Sequence, residues 1–243
     1  MKLKEKLFHK IHHNSLLRNI YNSSIFQKIY FRGKVSYAQS GEDLILNQIF
    51  KGVKKGFYID IGANNPFVNS NTYFFYKKGW KGINIDALPK SMNSFNLFRK
   101  RDINLEIAIS NNESVLKYYM YSSSFYNTFC KETAEMLKNK NYTKLVETRE
   151  IKSQKLSDVL DKLRIDTIDF MTIDVEGLDL NVLKSNNWKK YNPNVIITEL
   201  WSTDLDNLKN NGVYIFLINN GYRYFCNTPT NIFYVKNSFI SIR

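Results

Sequence analysis

Residues 57–64 read FYIDIGAN, and this stretch decides the fold of the chain. A short, mostly apolar run is typical of a buried strand, and the glycine at position 62 permits the tight turn that ends it. In parallel sheets, ligands bind beyond the carboxyl ends of the strands. The residues that end each strand are therefore the first candidates for a site, beginning with Asp60, whose carboxylate could bind an ammonium group.

Short apolar runs alternate with helical segments on both sides of this stretch. The pattern predicts further main strands at 82–86, 103–109, 167–173, 194–200, 213–218 and 231–235. It predicts helices at about 42–49, 72–78, 89–100, 156–163, 178–184 and 204–211. This alternation indicates βαβ units and a mainly parallel sheet that is covered on both faces.

One segment breaks the alternation. Residues 120–150 contain a Ser/Tyr/Phe stretch and then a charged, helix-like segment, between short predicted strands at 114–119 and 151–153. We therefore predict an insertion or lid at about 120–150, within a domain that spans 34–243. Residues 1–33 are predicted to form a basic, helical N-terminal extension.

The composition indicates a globular protein. The chain has 243 residues, of which 43% are hydrophobic, with only 4 prolines and 10 glycines, so one large α/β domain is expected. It has no run of 18 apolar residues and no signal-peptide pattern at its N-terminus. Cys130 and Cys226 form neither a disulfide framework nor a zinc site, and we predict a cytoplasmic location.

The formal net charge of +13 requires a partner or a composition bias to explain it. Nucleic acid, an anionic membrane surface and a phosphate-bearing substrate are each compatible with such a charge. Residues 1–33 could make a peripheral membrane contact. The sequence has no aromatic RNA-binding signature, and we expect no nucleic-acid partner. All three histidines lie at positions 9, 12 and 13, so a general base in the core would be a carboxylate, a tyrosine or a lysine.

Acidic residues end three more of the predicted strands. Asp86, 24 positions after Gly62, is placed to accept hydrogen bonds from the two ribose hydroxyls of an adenosine. Asp174 and Glu176 point to the same side of an extended segment, and Glu199 adds a third carboxylate. They could hold a metal, orient a cation or take a proton from a hydroxyl, although capping of the next helix is the structural alternative.

The loop after the first strand argues against a dinucleotide. A pyrophosphate site needs G-x-G-x-x-G, but here only Gly62 is present and Pro66 removes an amide donor. Recognition of adenosine without a pyrophosphate cradle indicates S-adenosylmethionine.

Six motifs together resemble the FkbM family of S-adenosylmethionine-dependent methyltransferases. They are YAQSGEDLIL at 37–46, GFYIDIGA at 56–63, SNTYFF at 70–75, GWKGI at 79–83, IDVEG at 173–177 and ITEL at 197–200. The resemblance runs from about 37 to 235. It implies a class I methyltransferase (Rossmann-like) fold, whose seven-stranded, mostly parallel sheet has an antiparallel last strand and helices on both faces.

The resemblance also implies roles for individual residues. The expected contacts of S-adenosylmethionine are Gln39, Glu42, Asp60, Gly62, Ala63, Asn64, Asp86, Ala87, Ala108, Ser110 and Asp174. The expected catalytic carboxylates are Asp174, Glu176 and Glu199. The expected acceptor contacts are Asn65, Asn71, Thr72 and Tyr126. No metal ligands are assigned. Many relatives carry histidine after Gly-Ala, where this chain has asparagine, which puts a base at that position in doubt.

The activity that the resemblance implies is O-methylation. The expected acceptor is a hydroxyl of a sugar, or of a precursor of a capsular polysaccharide or secondary metabolite. The positive net charge favours an acceptor that bears a phosphate group or is linked to a nucleotide. An RNA-binding or RNA-methylating protein that uses its basic surface is the alternative.

Overall fold

The fold is built on a seven-stranded sheet. The computed structural model describes residues 35–140, 143–200 and 204–239, and the main sheet has the order β3-β2-β1-β7-β8-β10-β9. Its strands are β1 (Phe57–Ile61), β2 (Lys81–Asp86), β3 (Ile103–Glu106), β7 (Phe170–Ile173), β8 (Val195–Glu199), β9 (Tyr222–Asn227) and β10 (Asn231–Lys236).

The strand directions confirm the expected class I methyltransferase fold. Strands β3, β2, β1, β7 and β8 pair in parallel, whereas β10 runs antiparallel to both β8 and β9. The chain order reverses between β1 and β7, because β2 and β3 continue to one side of β1 and β7 and β8 lie on the other. Such a reversal opens a crevice at the carboxyl ends of the strands.

Eight α-helices connect the strands among the described residues. They are α1 (Glu42–Ile49), α2 (Tyr73–Lys77), α3 (Met92–Phe98), α4 (Lys131–Lys140), α5 (Leu156–Leu163), α6 (Asp179–Lys184), α7 (Leu205–Lys209) and α8 (Gly212–Asn219). None of them has the length and apolar character needed to cross a membrane.

Both faces of the sheet are covered, as the alternation of side chains along β1 shows. Ile59 and Ile61 belong to one apolar cluster, while Tyr58 belongs to another with Phe75 and Trp80. All five side chains are at most 2% exposed. Because successive strand residues point to opposite faces, one strand supplies two cores and is held rigidly between them.

The segment between β3 and α5 forms a second, three-stranded sheet with the order β4-β6-β5. Its strands are β4 (Ala108–Ile109), β5 (Val115–Tyr121) and β6 (Leu145–Gln154). The single strand predicted at 103–109 is wrong, because 103–106 pair with β2 whereas 108–109 pair with β6. The predicted insertion at 120–150 contains the end of β5, helix α4 and the first half of β6.

The strand predicted at 213–218 is also wrong. Its apolar, β-branched sequence lies in helix α8, where the Asn211 side chain caps the first turn by accepting a hydrogen bond from the Val213 amide at 2.8 Å. Leu217 fixes the helix by packing, since it is fully buried. The missing strand is β9, which is separated from β10 by three residues along the chain. The predicted extension at 1–33 and its membrane contact lie outside the described residues.

Candidate active site

A cleft of about 600 Å³ opens at the carboxyl ends of β1, β2, β7 and β8, at the point where the strand order reverses. Its volume is within the usual range for a small-molecule site. Strand ends line its floor, the second sheet lines one wall, and the loop between β9 and β10 contributes Pro229 and Thr230.

Gly62 brings the end of β1 against the end of β7. Its φ of +86° lies in the left-handed region, and its amide donates to the Ile85 carbonyl at 2.9 Å. A Cβ atom at this position would lie less than 3.0 Å from both carbonyl atoms of Asp174. Glycine is therefore required twice here, by the backbone conformation and by the close approach of a neighbouring strand.

Asp86 ends β2 and faces the cleft, although it is only 9% exposed. Its Oδ2 accepts a hydrogen bond from the Asn64 amide at 2.8 Å, and its Oδ1 accepts one from the Leu88 amide at 2.7 Å. Burial raises the pKa of Asp86, and the two amide donors act against that shift. Each carboxylate oxygen still has a lone pair for a hydroxyl group in the cleft.

Asp60 lies on β1 beside the cleft and is 7% exposed. Its Oδ2 accepts a hydrogen bond from the Thr72 hydroxyl at 2.8 Å. Burial raises the pKa of Asp60 to about 6, with Asp174 and Asp86 adding to the shift and Thr72 and Arg99 opposing it. At neutral pH, the carboxylate is mainly ionised and ready to bind a cationic group.

Three carboxylates meet beyond β7 and β8. Asp174, Glu176 and Glu199 each place an oxygen within 4.8 Å of the others, and all three line the cleft. Glu176 has a φ of +52°, a backbone conformation that residues other than glycine adopt only at a cost in conformational energy. The Thr128 hydroxyl donates to the Glu176 carbonyl at 3.0 Å and fastens this turn to the second sheet.

The crowding of these acids changes their protonation. Burial raises the pKa of Glu176 to about 8, and Asp174 and Asp179 add to this shift. Burial raises the pKa of Glu199 to about 9, with contributions from Asp174, Glu176 and Asp179. Asp174 directly follows β7 and is exposed to solvent in the open cleft. At neutral pH the cluster therefore retains at least one proton, and it can give up or take one near that pH.

Part of the cleft wall is apolar, and sequence reasoning missed most of it. Leu88, Ile107 and Ala108 line it, together with Tyr118 and Phe129 from the second sheet and the loop after it. The two aromatic rings stack with their centroids 4.4 Å apart. The aromatic residues of the predicted insertion were the available signal, but their sequence does not show which of them face the cleft.

Most of the predicted site residues do line the cleft. They are Gln39, Asp60, Gly62, Ala63, Asn64, Asn71, Asp86, Ala87, Ala108, Tyr126, Asp174, Glu176 and Glu199. The structure brings them into one place, although they come from distant parts of the chain.

Four predicted contacts lie elsewhere. Thr72 is fully buried beneath the cleft, where it binds Asp60, and Ser110 is 6% exposed at the end of β4. Asn65 is used locally, because its side chain accepts hydrogen bonds from the amides at positions 67 and 68, at 2.9 and 3.0 Å. Glu42 is the fourth, and its side chain is fully buried. None of these four residues lines the cleft.

Glu42 holds the loop between β9 and β10. Its Oε1 accepts hydrogen bonds from the hydroxyls of Thr228 at 2.6 Å and Thr230 at 3.1 Å, and from the Asn231 side chain at 3.2 Å. The Ser40 amide donates to its other oxygen at 2.8 Å. Since Thr230 and Asn231 line the cleft, Glu42 shapes the site from behind.

The residues present fit S-adenosylmethionine. Gly62 lets the ends of β1 and β7 meet at the cleft floor, where any side chain would clash with Asp174. Asp86 offers acceptors for ribose hydroxyls, and Tyr118 and Phe129 supply an apolar wall for a base. The three clustered carboxylates are also the type of oxygen donor that Mg²⁺ or Ca²⁺ accepts. The prediction that no metal is bound stays a prediction.

Comparison with known proteins identifies the family of the domain. Residues 60–224, more than half of the chain, match the model described as the methyltransferase FkbM domain. No curated protein matches the chain in sequence.

Solved methyltransferases resemble the chain only remotely. The precorrin-6y C5,15-methyltransferase from Geobacter metallireducens is 11% identical, with 80% of this chain and 88% of that chain covered and a TM-score of 0.41. The O-methyltransferase from Bacillus cereus in complex with SAH is 11% identical, with 90% and 96% covered and a TM-score of 0.36. Neither similarity carries information about the acceptor.

Proposed function

This chain belongs to the FkbM domain family of methyltransferases and uses S-adenosylmethionine, and on that basis we propose that it methylates a hydroxyl oxygen of a sugar. The acceptor that we propose is a free sugar, a polysaccharide precursor or a secondary-metabolite precursor, and this class includes sugars that bear a phosphate group or are linked to a nucleotide. The observation that carries the proposal is the carboxylate cluster of Asp174, Glu176 and Glu199 in the cleft.

Oxygen methylation needs a group that takes the proton of the acceptor hydroxyl. The described part of the cleft contains no histidine, lysine or arginine, so the carboxylates and Tyr118 or Tyr126 are the titratable groups that line it. Burial raises the pKa of Tyr118 above its usual range, which makes that phenol a poor base. General-base catalysis is most efficient when the pKa of the base lies near the working pH, and the pKa of Glu176, at about 8, is close to neutral pH.

The donor site is supplied by groups along β1 and β2. Asp86 binds the ribose hydroxyls, Asp60 attracts the ammonium group, and Gly62 permits the close approach of β1 and β7. S-adenosylmethionine supplies, when bound, a methyl group on a sulfonium that is already a good leaving group. Much of the task left to the protein is to hold the acceptor oxygen in line, because proximity and orientation lower the barrier for such a transfer.

The acceptor is held on the open side of the cleft. The Asn71 side-chain nitrogen donates to the Thr172 hydroxyl at 3.0 Å, and the Ser124 hydroxyl donates to the Asn64 side-chain oxygen at 3.2 Å. Tyr126 is 39% exposed at the rim, where an aromatic ring can pack on the apolar face of a sugar. Glu176 then takes the hydroxyl proton as the new carbon–oxygen bond forms and the bond between the methyl group and sulfur breaks, which would leave S-adenosylhomocysteine as the product.

A transfer assay with candidate acceptors tests this proposal. Purified protein is incubated with methyl-labelled S-adenosylmethionine and a panel of sugars, sugar phosphates and nucleotide sugars, and products are identified by mass spectrometry. A stable methyl ether on a sugar supports the proposal. Label found on RNA, together with a salt-sensitive gel shift, would replace it with the nucleic-acid alternative.

Variants of the cluster identify the base. Glu176→Gln keeps the shape of the side chain but removes its basic form, and we expect turnover to fall by about 100-fold or more. Glu113→Gln, at an exposed position outside the cleft, is the matched control and should have no effect. Normal turnover in Glu176→Gln would move the role of base to Asp174 or Glu199.

A further inference from the structure

We propose that Arg99 is a positioning residue for the methyl donor. Its guanidinium binds the hydroxyl group of Thr72, and that hydroxyl holds the Asp60 carboxylate from outside the cleft. This inference rests on the proposed function, because it takes Asp60 as the group that meets the donor. Neither Arg99 nor Thr72 lines the cleft, so any effect they have on binding must pass through residues that do.

The guanidinium of Arg99 is fully buried, and each of its three nitrogens donates a hydrogen bond. Its Nε donates to Asp102 at 2.9 Å, and its Nη1 donates to the Pro66 carbonyl at 3.0 Å. Its Nη2 donates to the Tyr58 hydroxyl at 2.8 Å and to the Thr72 hydroxyl at 3.1 Å. A planar fork with five N–H groups can satisfy such a set of acceptors at once, whereas an ammonium group cannot.

The direction of the hydrogen bonds is fixed by chemistry. A guanidinium can only donate, so the Thr72 oxygen must accept from Arg99. The single hydroxyl hydrogen of Thr72 is then free to point to the Asp60 Oδ2, which lies 2.8 Å away. Ser70, whose oxygen is 3.3 Å from the same hydroxyl, is left to act as the donor in that contact. A positive charge therefore polarises the hydroxyl that holds Asp60.

Asp60 needs this support because its other charged neighbours are acids. Asp174, beyond β7, and Asp86, at the end of β2, both act against its ionised form, as does its burial. Arg99, after α3, and the Thr72 hydroxyl, before α2, favour it. Loss of the hydroxyl leaves the carboxylate without a donor and moves its titration towards higher pH.

The same guanidinium also supports the second donor-binding acid. Through the Pro66 carbonyl it holds the loop after β1, in which Asn64 has a φ of +49°. The amide of that residue donates to Asp86 at 2.8 Å. Arg99 thus connects to both acids that we place along the donor, and it does so from a single buried point.

Binding of S-adenosylhomocysteine, measured by calorimetry at pH 6, 7 and 8, tests this series of hydrogen bonds from Arg99 through Thr72 to Asp60, which we call the relay. Thr72→Val keeps the shape of the side chain but removes the hydroxyl, and we expect affinity at pH 8 to fall about tenfold. Since Asp60 would also take up a proton more readily, the loss should increase at pH 6. Thr72→Ser restores the hydroxyl and should bind within about twofold of wild type.

Arg99→Lys and Thr72→Ala are the second variants, because a buried valine could prevent folding. Thermal unfolding without ligand shows which variants are folded. Wild-type affinity at all three pH values in any folded Thr72→Val, Thr72→Ala or Arg99→Lys protein overturns the relay. Failure of the folded wild type to bind S-adenosylhomocysteine refutes the proposed function instead.

Discussion

The carbonyl group of Asp174, at the end of β7, occupies the space that a Cβ atom on Gly62 would need. Gly62→Ala is therefore expected to lose binding of S-adenosylhomocysteine and to unfold at a lower temperature. The matched control is Gly79→Ala, because Gly79 has a φ of +91° but nothing within 4 Å of the added carbon. That control should lose only about 1 kcal/mol of stability and keep its affinity. Equal losses in both variants would show that the close approach has no role.

Asp86→Ala is expected to weaken binding of S-adenosylhomocysteine by on the order of 100-fold, because two charge-assisted hydrogen bonds to ribose are lost. Calorimetry measures this loss of affinity. Glu106→Gln is the control, since Glu106 ends the neighbouring strand β3 and its side chain accepts only from the Lys90 amide among the described contacts. A normal affinity in Asp86→Ala would place the ribose elsewhere.

The rate should rise with pH. The base must be ionised to take a proton, and burial among other acids raises the pKa of Glu176 to about 8. We expect kcat/KM to increase as the pH passes from 7 to 9, and the increase should vanish in Glu176→Gln but persist in Glu199→Gln. A flat profile in the wild type would exclude Glu176 as the base.

Glu199 should make the folded state less stable as the pH rises. Burial and neighbouring acids raise its pKa from 4.5 to about 9, so the folded state holds a proton that the unfolded state releases. Stability is therefore lost between those two pH values. Glu199→Gln should melt a few degrees above wild type at pH 8, since about 1 kcal/mol shifts Tm by roughly 2–4 °C in a domain of this size. The difference should shrink towards pH 5, and Glu113→Gln should show none.

Two aromatic residues should affect different ligands. Phe129→Ala removes half of the stacked pair with Tyr118 and should weaken donor binding about tenfold. Tyr126→Ala removes a ring from the rim and should raise the KM of the acceptor while donor affinity stays normal. Calorimetry with S-adenosylhomocysteine and steady-state kinetics separate the two effects. If both variants changed donor affinity and the acceptor KM in the same way, donor and acceptor would not have separate walls.

The sequence predicted the central sheet because its strands are short apolar runs that end at Gly62, Asp86 and Asp174, and each run alternates with a helix. It failed at residues 213–218, where the same apolar content forms a helix. Tertiary packing of Leu217 and the Asn211 cap decided that conformation, and composition does not reveal either one.

The candidate site was predictable to the extent that it lies at strand ends. Thr72 directly follows the cleft residue Asn71, and Glu42 lies three positions after Gln39, yet both side chains are fully buried and neither lines the cleft. Their roles depend on partners 12 and 186 residues away along the chain, Asp60 and Thr228. Tyr118 and Phe129 were missed for the converse reason, because pairing within the second sheet brings them to the cleft.

The bond between Glu42 and Thr228 has a consequence for how the protein is made. It joins helix α1 to the loop before β10, and the two residues are 186 positions apart. During synthesis, the first strands leave the ribosome long before this loop exists. Contacts of such large sequence separation form late and slow the final folding step. A nascent chain that stops short of residue 228 lacks the hydroxyl and amide groups that bind the Glu42 carboxylate, so donor binding should mark the completed polypeptide rather than its growing forms.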